Sequence, residues 1–80
     1  MFQSLIERLE KIYNVSSFDD GGELSAVISK ENIIVNIYEM QDVVNVTIEE
    51  VQEDESYLVL IDKDYKRVGS MYNLITKYLQ

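Results

Sequence analysis

Carboxylates are the commonest side chains able to do chemistry in this sequence. Fifteen Asp and Glu stand against seven Lys and Arg, and there is no His and no Cys. Without His or Cys no Ser–His or Cys–His nucleophile system can form, and nearly every zinc arrangement is removed. What ionised carboxylates do unaided is attract cations, above all the Arg and Lys side chains of another molecule. Their distribution sharpens that reading. Between Glu31 and Asp62 lie nine acids (Glu31, Glu39, Asp42, Glu49, Glu50, Glu53, Asp54, Glu55, Asp62) and no base. The remaining 48 residues carry six acids and seven bases, so the net charge of −8 sits in the middle of the chain. A negative field of this kind repels nucleic acid and anionic membrane and draws basic surfaces.

The other chemistries open to carboxylates find little support. Asp62-Lys-Asp64 and Glu53-Asp-Glu55 offer hard oxygen ligands, but neither has the spacing of a calcium-binding EF-hand loop, and turn chemistry accounts for the first. Glycoside hydrolysis by a carboxylate pair needs a cleft that raises one pKa by burial, and 80 residues leave little depth for one. Asp20-Gly-Gly22 lacks the spacing of a phosphate-binding loop and reads as a turn. The expectation is therefore a protein that is not an enzyme and holds no metal or cofactor.

The candidate contact residues for a basic partner are Glu39, Asp42, Glu49, Glu50, Glu53, Asp54 and Glu55. On an antiparallel hairpin the first two sit near the turn and the others near the opposite end. At about 3.3 Å per residue the two groups are roughly 20–25 Å apart. Carboxylates held on rigid strands can imitate a run of DNA phosphates and compete for the basic side chains that grip them. The alternative is a solvated face kept acidic for solubility, with charges blunting edge strands.

The elements that would position these groups follow from periodicity. Phe2, Leu5, Ile6, Leu9, Ile12 and Tyr13 share one side of a helix. Ser4 and Glu7 match a capping box that would start it after Ser4, and Asn14 suits a left-handed closing position. A strand over 15–18 pairs across Gly21-Gly22 with one over 24–29, and Lys30-Glu-Asn32 turns the chain again. Residues 33–40 are apolar on both faces. Residues 43–51 alternate cleanly, with Val44, Val46 and Ile48 on one face and Asn45, Thr47 and Glu49 on the other. Gln41-Asp42 forms the tip between them. After a charged loop, 57–61 is a continuous apolar run that reads as a central strand covered on both faces. Asp62-Lys-Asp64 then turns the chain, residues 65–68 add a short strand, and Ser70 caps a second helix with the stripe Met71, Leu74, Ile75, Tyr78 and Leu79.

The fold class is therefore α+β: a small single domain over residues 1–80, helix, antiparallel sheet of about four strands, helix. Either the helices cover opposite faces of the sheet, or a second subunit or partner covers one. Tyr13 and Tyr78 lie on helix stripes, whereas Tyr65 and Tyr72 fall where a side chain is either a surface anchor or partly buried with its hydroxyl wet. Lys63, Lys66 and Arg67 are too few for a nucleic-acid footprint and suit either loop charges or pairing with a second copy. The N-terminus shows no basic region followed by an apolar run, and no stretch approaches the roughly 20 apolar residues of a membrane span. With no Cys, the expected compartment is a reducing cytoplasm.

No family fingerprint attaches to particular residues. In size, acidity and mixed helix–strand organisation the chain resembles the small proteins by which phages block host factors, among them anti-CRISPR proteins, DNA glycosylase inhibitors and antirestriction proteins. Bacterial antitoxins and immunity proteins share the profile. The resemblance implies an inhibitor of a basic, nucleic-acid-handling protein, without direct nucleic-acid or membrane binding. The competing expectation is a structural module that self-associates, as a homodimer or larger assembly, through its sheet.

Overall fold

The computed structural model describes residues 1–80. Helix α1 (Phe2–Glu10) is followed by five strands, β1 (Ser16–Asp20), β2 (Glu23–Lys30), β3 (Ile33–Glu39), β4 (Val44–Val51) and β5 (Tyr57–Tyr65), and by helix α2 (Val68–Tyr78). The strands form one antiparallel meander in sequence order. The α+β class stands, with five strands in place of about four.

The turns explain the simple topology. Gly21 and Gly22 join β1 to β2 with φ of 63° and 93°, the type I′ pattern that matches strand twist. The Gly22 amide donates to Asp19 Oδ1 at 2.9 Å and pins the turn. Glu53-Asp-Glu55 closes β4 onto β5, with Glu55 at a φ of 69° and its N–H donating to the Gln52 carbonyl at 3.0 Å. That is the three-residue hairpin in which the last position is left-handed.

Both helices lie on the same face of the sheet. Phe2, Leu5, Ile6 and Leu9 of α1 and Met71, Ile75 and Leu79 at α2 form a single core with Ala26, Ile28, Val35, Ile37, Val44, Val46 and Ile48. These seven strand residues point one way, because strand side chains alternate and the register sets Ala26 against Ile37 and Ile37 against Val46. Of the two arrangements expected from sequence, the opposite-face one does not occur. The shortest dimension of the molecule, 20 Å, is that of two layers.

Several local expectations are corrected. Helix α1 begins at Phe2, ahead of Ser4, and the Leu5 amide already bonds the Met1 carbonyl at 3.2 Å. It ends at Glu10, so Ile12 is exposed and Asn14 is not left-handed. Helix α2 begins at Val68 with Arg67 as its cap, which leaves Ser70 inside the first turns. The largest correction concerns β5. Expected as a central strand, it is an edge, and Tyr57, Leu58 and Val59 are exposed. Asp62-Lys-Asp64 is strand, and no separate strand follows it.

A bulge is the physical reason. Ile48 pairs with Ile61 but Glu49 pairs with Val59, so Leu60 is an extra residue in β5. The extra residue reverses the facing of the chain beyond it. Tyr57 and Val59 before the bulge, and Asp62 and Asp64 after it, all face away from the helices. Ile61 and Tyr65 are thereby returned to the helix side, where both pack on the core. A run that is apolar at every position thus arises from a change of face rather than from cover on both sides.

Candidate interaction face

The face opposite the helices has no covering element. Reading the register across it gives one row of Phe18, Ser25, Tyr38, Asn45 and Asp64, and a second of Ser16, Val27, Asn36, Thr47 and Asp62. A third holds Ser29, Ile34, Glu49 and Val59, and a fourth ends at Val51 and Tyr57. Beyond the first row Asp20 pairs with Glu23 at the β1–β2 turn. A wide depression lies at this end, bounded by Phe18, Asp20, Glu23, Tyr38, Asp62 and Asp64.

Charge is segregated by face. Asp20, Glu23, Glu49, Asp62 and Asp64 stand on the open face, and none of the seven bases does. Arg8 of α1 lies 4.0 Å over the ring of Tyr72 in α2. Lys63 faces the helix side of β5, 5.4 Å from the Tyr65 ring. Lys30 donates to the Leu79 carbonyl at 2.7 Å, a cation at the end of α2 where the helix dipole favours one. Lys11, Lys66, Arg67 and Lys77 lie in or beside the helices.

Three of the five open-face carboxylates, Glu49, Asp62 and Asp64, are held by neutral donors. Asn45 Nδ2 donates to both Asp62 Oδ1 at 3.1 Å and Asp64 Oδ1 at 2.9 Å, while Thr47 Oγ1 donates to Asn45 Oδ1 at 3.1 Å. Asn36 Nδ2 donates to Glu49 Oε1 at 3.2 Å. Amides orient the carboxylates without neutralising them, so their charge stays available to a cation from outside. No group of His, Cys, Asp and Glu is arranged to hold a metal ion. No helix is long and apolar enough to cross a membrane.

The seven candidate contact residues do not gather on this face. Glu49 stands on it. Glu39 and Asp42 lie at the β3–β4 turn, and Glu53, Asp54 and Glu55 form the β4–β5 turn at the other end of β4. Glu50 points to the helix side, where its carboxylate accepts from Gln52 Nε2 at 3.0 Å. In the second turn, the Ser56 hydroxyl donates to Asp54 Oδ1 at 2.6 Å and the Ser56 amide at 3.1 Å. The hydroxyl, and then the amide, hold the Asp54 carboxyl below its ordinary range.

Asp20, Glu23, Asp62 and Asp64, all on the open face, are not among the contact residues expected from sequence, nor are Phe18, Tyr38 and Tyr57 expected there as exposed aromatics. The signal for Tyr38 was present: it shares the alternation of Asn45 and Thr47 across the β3–β4 hairpin. For Asp62 and Asp64 there was none, because a bulge decides their face. Tyr65 and Tyr72, for which the alternatives are a surface anchor and partial burial, pack half-buried against the core, as do Tyr13 and Tyr78.

No family model, curated protein or solved structure matches this chain.

Proposed function

We propose that this chain is a small, non-enzymatic binding protein that captures a basic, nucleic-acid-handling protein and blocks it, in the manner of phage-type inhibitors such as anti-CRISPR and antirestriction proteins. The observation that supports this is the segregation of charge: five carboxylates on an uncovered sheet face with every Lys and Arg elsewhere. Carboxylates on a rigid sheet compete for the side chains that bind phosphates, and they speed encounter with a basic surface. The acids of the two turns, Asp42 and Glu53 to Glu55, extend the field beyond the face. Action in the cytoplasm, without direct nucleic-acid or membrane binding, belongs to the same reading.

Capture from a lysate of the native host at low salt, followed by a salt gradient, tests it. Elution of one basic nucleic-acid-binding protein, whose nucleic-acid binding the chain then suppresses in purified form, is the expected result. Recovery of the bait alone as a salt-resistant oligomer counts against it. That outcome would favour self-association, for which the specific observation is β5: an edge strand with Tyr57, Leu58 and Val59 exposed.

A further inference from the structure

The apolar side chains of the open face are not scattered. Phe18 on β1, Val27 on β2, Ile34 on β3 and Val51 on β4 each lie one row further along than the last, and Tyr57 and Val59 on β5 complete the line. Phe18, Tyr57 and Val59 are 54, 60 and 55% exposed. None of the six belongs to the core or packs against it. The line crosses all five strands on a diagonal from one edge to the other. At about 4.8 Å between strands and 3.3 Å per residue it is roughly 25–30 Å long.

Its two flanks differ. On one side lie all five open-face carboxylates, Asp20, Glu23, Glu49, Asp62 and Asp64, together with exposed Tyr38. On the other lie only Ser16 and Ser29 among the strand residues. We infer that this diagonal is the seat of an amphipathic helix of the basic partner, with an apolar stripe on the diagonal and Lys or Arg along one flank. The inference rests on the binding function proposed above and names what the face holds.

Three features select that occupant. The contact surface is made of side chains, since the backbone groups in the middle of the sheet are paired with neighbouring strands, so the partner must satisfy its own backbone, as a helix does. The length of the diagonal matches about 18 helical residues at 1.5 Å each. The charge excludes a second copy seated face to face, which would bring five carboxylates from each side together with no base between them.

The probe is an 18-residue helical peptide with a Leu stripe and Lys along one flank, titrated at low salt into the isotope-labelled chain while backbone amide shifts are followed. Two controls are the same composition scrambled and the same stripe with Glu in place of Lys. The patterned peptide is expected to bind at least tenfold more tightly than the scrambled one and to shift the amides of Val27, Ile34, Tyr38 and Val59. The Glu peptide is expected not to bind. Ile34→Asp should weaken binding at least tenfold, and Tyr57→Ser provides a second variant on an edge where folding is little affected. Equal binding of the scrambled peptide, or shifts confined to the turns at Asp42 and Glu53 to Glu55, would overturn the helix seat while leaving a basic partner in place. Failure of both cationic peptides to bind would overturn the seat and the basic-partner reading together.

Discussion

Phe18 and Tyr57 stand at opposite corners of one sheet face, on the two edge strands, and both are exposed. Between them the sheet carries an apolar diagonal with carboxylates along one side. The opposite face is closed by two helices and carries the core. One side of the molecule thus maintains the fold and the other is left uncovered.

Truncations on the two faces should differ in cost. Ile37→Ala removes a fully buried side chain from the centre of the core and should destabilise by about 2–5 kcal/mol. Phe18→Ser changes an exposed residue of an edge strand and should shift stability by no more than about 0.5 kcal/mol. Urea unfolding of both variants checks this. A Phe18 variant as unstable as the Ile37 one would show that the open face contributes to the core.

Asn45 is the amide shared by Asp62 and Asp64. Asn45→Ala should cost about 1 kcal/mol through the lost hydrogen bonds. Asn45→Asp should cost more at neutral pH, because it places a third carboxylate opposite the pair, and added salt should recover part of the difference. Thermal melts at two salt concentrations distinguish this from simple loss of a contact.

Asp54 should titrate below the ordinary carboxylate range, since the Ser56 hydroxyl and amide both donate to its ionised form. Its pKa is lower in the folded chain than in the unfolded one. The group therefore favours folding above the usual carboxylate range, and that contribution fades as pH falls through it. Ser56→Ala should raise the Asp54 pKa, read from side-chain carboxyl shifts during an acid titration. An unchanged value would mean the turn hydrogen bonds are not held in solution.

Gly69 lies in the first turn of α2, and a methyl group added there would meet nothing within 4 Å. Gly69→Ala should stabilise the protein by about 0.5–1 kcal/mol, since Ala is the better helix former and narrows the unfolded ensemble. An unchanged or lower melting temperature would indicate that α2 begins after this residue.

Most of the fold was legible because it follows from alternation. Val44, Val46 and Ile48 declare one face of β4, and Asn45, Thr47 and Glu49 the other. The Gly21-Gly22 and Glu31-Asn32 pairs mark turns that leave a meander as the natural order. The β5 facing was not legible. An extra residue such as Leu60 has no signature when every neighbour is apolar, so the strand passes for a doubly covered one. The same bulge carries Asp62 and Asp64 onto the open face, away from the turn that holds the densest acids in sequence, Glu53 to Glu55. Helix ends were misplaced because Ser4 and Ser70 have capping chemistry that the chain does not use.

The most direct test of the central claim compares two triple variants with the same change of charge. One is Asp20→Asn, Asp62→Asn and Asp64→Asn on the open face, and the other is Glu53→Gln, Asp54→Asn and Glu55→Gln in the β4–β5 turn. Affinity for the basic helical peptide is measured for both at one low salt concentration. The open-face variant should bind at least tenfold more weakly than the unaltered chain and the turn variant within about twofold of it. Equal losses, or a larger loss in the turn variant, would contradict the assignment of the open sheet face as the contact surface.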